Sequence, residues 1–169
     1  MAVDVAQQAL APFENVPLGG GFGLACVSDI AISRDNAQFG LPETGLGVLP
    51  AQIAPFVVKR IGLTQARRLA LLGSRFNGET AQKLGVIHEV VRDDVELEQL
   101  LTDTIQQIKR AAPLASRNTK ALLHRTLNEP LDSLLDAAAQ QFAQAVGGVE
   151  GQEGTMAFIQ KRLPTWTEQ

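Results

Sequence analysis

A run of glycines near the start of the chain is the feature that most constrains its fold. The run has the order Leu18-Gly19-Gly20-Gly21-Phe22-Gly23, and the apolar stretch 24–27 follows it. This order predicts a loop that leads into a helix. Because glycine has no Cβ and a helix is positive at its N-terminus, backbone N–H groups here can approach an anion closely. The run therefore predicts an oxyanion or phosphate site.

A glycine run by itself is more often a tight turn, so its meaning depends on the residues around it. The dinucleotide-binding fingerprint G-x-G-x-x-G is not satisfied, because Leu24 stands where its last glycine belongs. After the run, residues 29–32 predict a buried strand and residues 37–40 a second short one, with a turn over 33–36. Residues 41–55 contain three prolines and two glycines, which predicts an ordered loop of the kind that carries function.

Helical periodicity accounts for most of the remaining chain. Residues 2–14 are rich in Ala and Gln and predict a short helix that Pro12 interrupts. Thr64 is a candidate cap for a helix that ends at Gly73. A strand is predicted over 86–91, and further helices over 79–84, 95–110 with Asp94 as cap, 114–127, 131–146, and from Glu153 to Pro164.

The glycine run, the strand 29–32 and the segment 37–50 together resemble the signature of the crotonase family. The segment is Ala37-Gln38-Phe39-Gly40-Leu41-Pro42-Glu43-Thr44-Gly45-Leu46-Gly47-Val48-Leu49-Pro50. The family form is Ala-x-Phe-Gly-x-Pro-Glu-x-x-Leu-Gly-x-x-Pro. The resemblance continues through residues 64–73, 81–85 and 153–162, so it covers residues 18 to 169.

The resemblance implies a single α/β domain, a spiral of ββα units followed by a helical region that assembles subunits. Residues 1–17 are a divergent N-terminus, 18–91 the spiral core with the acyl-CoA site, and 92–169 the helical region. The family binds acyl-CoA thioesters and stabilises an enolate-like oxygen with two backbone N–H groups. Because the helical region of the family assembles subunits, a homotrimer or a hexamer is expected.

Matching residue by residue, the resemblance also implies a set of site residues. Gly20 supplies one oxyanion donor, Glu43 is the catalytic acid/base, and Lys161 contacts the CoA nucleotide. The other substrate-binding positions are Gly19, Gly21, Gly23, Pro50 and Phe158. No metal and no cofactor is expected beyond the coenzyme A that is part of the substrate.

One position departs from the two-carboxylate hydratases, which carry a second glutamate where this chain has Gly23. A single carboxylate is typical of hydratases of branched, glutaconyl-type enoyl-CoA thioesters in acyclic terpene or leucine degradation. It is also typical of Δ3,Δ2-enoyl-CoA isomerases. In addition, residues 1–17 lack the family's buried strand ahead of the glycine loop and its other oxyanion donor, which leaves a truncated, non-catalytic assembly module as a third alternative.

Charge and cysteine content exclude several other classes. The formal net charge is −3, and Lys and Arg occur at most in pairs such as Lys161-Arg162, so a nucleic-acid partner is not expected. The chain has one cysteine, Cys26, and no long apolar stretch, which predicts a reducing, cytoplasmic location without membrane contact. Cys26 and His88 are interpreted as a buried hydrophobe and a partly exposed strand residue, neither of them catalytic.

Overall fold

The computed structural model describes residues 10–13 and 20–168. Contacts divide the chain into two units, Met1–Leu100 and Leu101–Gln169. The described strands all lie in the first unit, and the described part of the second unit is helical. No helix within 10–13 and 20–168 is long and apolar enough to cross a membrane.

A parallel sheet in the order β1-β2-β5 forms the base of the first unit. Its strands are β1 (Leu10–Phe13), β2 (Ile30–Arg34) and β5 (Glu89–Val91). In register, Leu10 lies opposite Ile30, and Ile32 lies opposite Glu89. The central strand β2 buries three consecutive residues, as expected for a parallel strand covered on both faces.

Strand β1 corrects the helix predicted over residues 2–14, of which 2–9 and 14 lie outside the described residues. It also supplies a strand ahead of the glycine loop, which the sequence interpretation had found missing. Pro12 argues against a helix but is compatible with β1, because β1 lies at an edge of the described sheet, where a missing N–H is tolerated. The strand predicted over 86–91 is confirmed in its last three residues.

The glycine run opens helix α1 (Gly20–Val27), as predicted. Its buried face carries Phe22, which packs against β3 (Phe39–Gly40) and β4 (Arg75–Phe76), an antiparallel pair. The Phe22 ring lies edge-on to Phe39 and Phe76, with centroids 6.3 and 6.0 Å away. These rings belong to the main hydrophobic core of the unit.

Helix α2 (Ala54–Leu72) crosses this core and differs from the prediction at its start. Helix was expected only from Thr64, whereas α2 begins ten residues earlier, at Ala54. Pro55 was counted as a helix breaker, but it occupies the first turn, where a proline costs no hydrogen bond. The helix is interrupted at Gly62 and ends at the predicted Gly73, whose N–H donates to the Leu69 carbonyl.

Side-chain hydrogen bonds cap the N-termini of the next two helices. Asn77 caps α3 (Gly78–Lys83) by accepting a hydrogen bond from the Thr80 N–H. Helix α4 (Asp94–Arg110) is capped by Asp93 rather than by the predicted Asp94, because the Glu96 N–H donates to Asp93 Oδ1 at 2.8 Å. Asp94 instead pairs with Arg34 at the end of β2.

The second unit holds α5 (Pro113–Arg125), α6 (Leu131–Gly147) and α7 (Val149–Ile159). The Glu150 carboxylate, in the first turn of α7, accepts hydrogen bonds from the first N–H groups of α5, at Leu114 and Ala115. Helix α7 begins four residues before the predicted Glu153, because only Gly148 separates it from α6. It ends at Ile159, and the segment to Pro164 is a turn tied by the Arg162–Glu153 ion pair.

Candidate active site

Glu43 begins a short 3-10 helix, Glu43–Leu46, which we call the Glu43 turn. Pro42 precedes it, and the Val48 N–H closes it by donating to the Glu43 carbonyl at 3.0 Å. The side chain is partly buried, and its Oε2 is shielded from solvent with no hydrogen-bond partner among the described residues. A buried carboxylate oxygen without a partner is costly, which is typical of a group that meets a ligand or a water during function.

The next residue fixes this turn to helix α2. Thr44 Oγ1 donates a hydrogen bond to the Ala70 carbonyl at 2.8 Å. The same hydroxyl lies 3.4 Å from the position that a Cβ on Gly73 would take. The main chain that carries Glu43 is therefore attached to the C-terminal half of α2.

The glycine run lies at the N-terminus of α1. Gly20 is exposed, and a Cβ there would meet no described atom within 4 Å. Gly21 is half-buried in the same turn. The first N–H groups of any α-helix lack intrahelical acceptors, so these two residues fit the predicted oxyanion site. Gly19 lies outside the described residues.

Gly23 is buried where α1 meets the start of α2. A Cβ at this position would lie 2.7 Å from Ile53 Cγ2, closer than side chains pack. Ile53 directly precedes α2 and packs against the hydrophobic core. The place expected for a second carboxylate is therefore crowded by an aliphatic side chain, and any side chain at position 23 would require Ile53 to move.

Arg60 joins α1, α2 and the segment that follows α3, and sequence analysis did not identify it. Its Nε donates to the carbonyls of Gly85 and Val86, at 2.9 and 3.1 Å. Its Nη1 donates to the carbonyl of Ser28, just beyond α1, at 3.3 Å. An arginine on an amphipathic helix carries no local signal of such contacts, because its acceptors lie 25 to 32 residues away in sequence.

His88 completes this set of contacts and is exposed, but it lies just before β5 and not in the strand as predicted. Its Nδ1 accepts a hydrogen bond from the Ala31 N–H at 2.9 Å, and the backbone N–H of His88 donates to the Ala31 carbonyl at 2.8 Å. Burial and the nearby Arg60 guanidinium lower the pKa of His88, against the opposing charges of Glu89 and Asp29. The neutral imidazole that results can accept the Ala31 bond.

Cys26 is buried on α1, and burial raises the pKa of its thiol to about 11, against the weaker opposing effect of Arg60. A thiol of this pKa stays protonated near neutral pH and is a poor nucleophile. Within the described residues, no three His, Cys, Asp or Glu side chains are grouped so that they could hold a metal ion.

The remaining predicted positions are Pro50, Phe158 and Lys161. Pro50 is half-buried ahead of α2, and its carbonyl accepts a hydrogen bond from the Ala54 N–H at 2.9 Å. Phe158 on α7 is 85% exposed, and Lys161 follows α7 with a positive φ of 54°. Both belong to the second unit, and their contact with substrate remains a prediction.

These features define a crotonase-fold protein: a parallel sheet, a helix that opens with glycines, and a turn that carries a carboxylate and is attached to α2. Two solved structures share this fold over 94% of the chain. They are Pseudomonas aeruginosa AtuE, with 61% sequence identity and a TM-score of 0.92, and an enoyl-CoA hydratase/isomerase from Marinobacter aquaeolei, with 56% identity and a TM-score of 0.91. The chain covers 61% and 60% of those two chains, respectively.

The chain belongs to the enoyl-CoA hydratase/isomerase family, whose model matches residues 9–169. It is 33% identical to enoyl-CoA hydratase ACTT6 of Alternaria alternata, over 93% of this chain and 53% of that protein. It is 31% identical to 2,3-dehydroadipyl-CoA hydratase of Escherichia coli (strain K12), over 92% of this chain and 61% of that protein. The chain thus spans between half and two thirds of the length of these relatives.

Proposed function

We propose that this chain carries the acid/base group of a hydro-lyase that adds water across the α,β double bond of an enoyl-CoA thioester. The observation that carries the proposal is the solvent-shielded Oε2 of Glu43, which has no hydrogen-bond partner within the described residues. Such an oxygen is free to accept a proton from a substrate water. The hydratase names of the relatives in Alternaria alternata and Escherichia coli support the same reaction class.

The proposed reaction uses Glu43 twice. Its carboxylate takes a proton from water as the water oxygen bonds to the β carbon, and the double-bond electrons move onto the thioester oxygen. The Gly20 N–H stabilises that developing enolate charge by donating a hydrogen bond. Protonated Glu43 then returns its proton to the α carbon, the enolate collapses to the thioester, and one water has been added.

The proposed substrate class is supported by the surroundings of Gly23, where the two-carboxylate hydratases carry a second glutamate. A Cβ at this position would lie 2.7 Å from Ile53 Cγ2, so its nearest neighbour is aliphatic. An aliphatic neighbour suits a branched acyl chain better than a second charged group would. We propose a branched, glutaconyl-type enoyl-CoA as substrate, by likeness to the hydratases of isohexenylglutaconyl-CoA and methylglutaconyl-CoA. Lys161 would then contact the CoA nucleotide.

A Δ3,Δ2-enoyl-CoA isomerase is the second candidate, because moving a proton between two carbons also needs only one carboxylate. The two reactions are separated by incubating the protein with a branched 2-enoyl-CoA and with a 3-enoyl-CoA in isotopically labelled water. A hydratase consumes the 2-enoyl-CoA and incorporates labelled oxygen into the product. Conversion of the 3-enoyl-CoA without oxygen incorporation would replace the hydratase by the isomerase.

The role of Glu43 is tested by Glu43→Gln, which keeps the shape of the side chain but cannot carry the proton. Turnover is expected to fall by about 10² to 10⁴, the usual contribution of general acid–base catalysis. Glu79→Gln is the matched control, because Glu79 is an exposed glutamate in the first turn of α3. Equal rates for the two variants would mean that another group, or the substrate's own carboxylate, moves the proton. No turnover by the unmodified chain, with self-association retained, would favour the non-catalytic assembly module.

A further inference from the structure

The break in helix α2 has an unusual backbone geometry at Gly62. This residue has φ 75° and ψ 161°, whereas the flanking residues are helical. An L-residue rarely adopts this combination, which is accessible essentially to glycine alone. A Cβ at position 62 would meet no atom within 4 Å in the described part of the chain. Gly62 is therefore needed for its backbone conformation and not for the space that it leaves.

The two halves of α2 hold different parts of the candidate site. The first half, residues 54–61, contacts α1 through Arg60, whose guanidinium donates to the Ser28 carbonyl. Ile53, directly before this half, lies against Gly23. The second half, residues 63–72, holds the Glu43 turn through the Ala70 carbonyl, which accepts the Thr44 hydroxyl. Gly62 is the joint between the two halves.

We infer that Gly62 is a positioning residue for the reaction, because the break at this residue sets the placement of Glu43 relative to the Gly20 N–H. The inference rests on the proposed function. Alanine at position 62 would favour helical backbone, since alanine is the strongest helix former and glycine among the weakest. The two halves would then tend toward one continuous helix, and the acid/base would move away from the oxyanion donor.

The first measurement is steady-state kinetics of Gly62→Ala on the enoyl-CoA that the unmodified protein turns over. We expect kcat to fall at least about tenfold, because small misplacement of catalytic groups costs rate steeply. KM should change less than threefold or so, since most of the thioester is bound away from the reacting atoms. If the substitution only reduced the folded fraction, the concentration of active enzyme would fall by that fraction, and kcat per folded molecule would be unchanged.

One further variant separates the backbone conformation at position 62 from the added methyl group. D-alanine at this position, introduced by chemical ligation, carries the same methyl group as L-alanine but accepts a positive φ. We expect it to restore kcat. Failure of D-alanine to restore kcat would overturn the inference.

A readout without turnover keeps this inference distinct from the proposed function. Spin labels at positions 24 and 46, both exposed, report the separation of α1 and the Glu43 turn by electron paramagnetic resonance. Gly62→Ala should shift this separation and D-alanine should reverse the shift, whether or not the chain is active. An unchanged separation in Gly62→Ala refutes the inference, whereas a shifted separation in a chain without Glu43-dependent turnover refutes only the proposed function.

Discussion

At the scale of single residues, the His88 ring accepts a hydrogen bond that only its neutral form can accept. Its Nδ1 receives the Ala31 N–H, and Arg60 lies 3.2 Å from its Nε2. Burial and Arg60 lower the pKa of His88 in the folded state. As the pH falls, the His88 imidazole is therefore protonated in the unfolded chain before it is protonated in the folded chain. This contribution to stability is therefore complete above the unfolded pKa of about 6.5 and is lost as the pH falls below it.

The prediction is a melting temperature that falls between about pH 7 and pH 5 more steeply in the unmodified protein than in His88→Asn. The asparagine carbonyl can still accept the Ala31 N–H but cannot be protonated in this range. His124→Asn is the matched control, because His124 is an exposed histidine on α5. Parallel curves for the His88→Asn variant and the unmodified protein would show that His88 is not the group responsible.

The orphaned oxygen of Glu43 predicts opposite effects on stability and activity. Glu43→Met removes a partly buried charge whose Oε2 has no partner in the described chain. We expect the free energy of unfolding to rise by about 1 kcal/mol, because a desolvated polar atom is lost, while turnover disappears. Chemical denaturation measures the stability, with Glu79→Met at an exposed site as control. A destabilised Glu43→Met variant would mean that Glu43 is structural.

At the scale of elements, the contact between α1 and α2 depends on the pair Gly23 and Ile53. Gly23→Ala places a methyl group 2.7 Å from Ile53 Cγ2, so we expect a loss of about 1 to 3 kcal/mol from overpacking. In an Ile53→Ala background that clash is removed, because alanine lacks Cγ2, and the added methyl should cost close to nothing. Urea denaturation of the four proteins gives the coupling between the two sites.

The matched background for this experiment is Ile53→Val, which keeps Cγ2 and removes only the δ methyl. Gly23→Ala should remain destabilising there, to a similar extent as with isoleucine. If the valine and alanine backgrounds reduced the stability cost of Gly23→Ala equally, crowding by Cγ2 would not be the reason that position 23 holds glycine.

At the scale of the whole molecule, the helices of the second unit expose a large apolar surface. Large side chains that are at least half exposed include Leu131, Leu135, Phe142, Phe158 and Ile159. Exposed apolar patches of this kind mark association sites. We therefore predict self-association to a trimer or a dimer of trimers, measured by light scattering at micromolar concentration.

Phe142→Asp tests this surface directly. Phe142 is 72% exposed, so the substitution should leave the folded monomer intact and shift the population toward smaller species. Gln140→Asp, at an exposed polar position of the same helix, controls for added charge and should assemble normally. A monomeric unmodified protein, or a Phe142→Asp variant that assembles fully, would contradict the prediction.

Local sequence determined those elements whose signals lie within a few residues. Conformational preferences of short segments account for three features: the glycines that open α1, the cap at Asn77, and the end of α2 at Gly73. The 37–50 motif likewise indicated the family, which the match over residues 9–169 confirms, whereas the role of Glu43 stays a prediction. The strand at Leu10–Phe13 was mistaken for helix, because its conformation depends on pairing with β2, about twenty residues away.

Only the tertiary structure decided how the parts of the candidate site are held. The sequence showed that position 23 lacks the second carboxylate. That Ile53 crowds this position is known only from the structure, because the two residues are thirty apart in sequence. The sequence assigns Arg60 no role, because its acceptors at Ser28, Gly85 and Val86 lie far along the chain. Gly62 lies ahead of the helix predicted from Thr64, and only the structure places it inside α2 with φ 75° and ψ 161°. Spacing in the sequence specifies which groups carry the chemistry, whereas long-range contacts fix the distances between them.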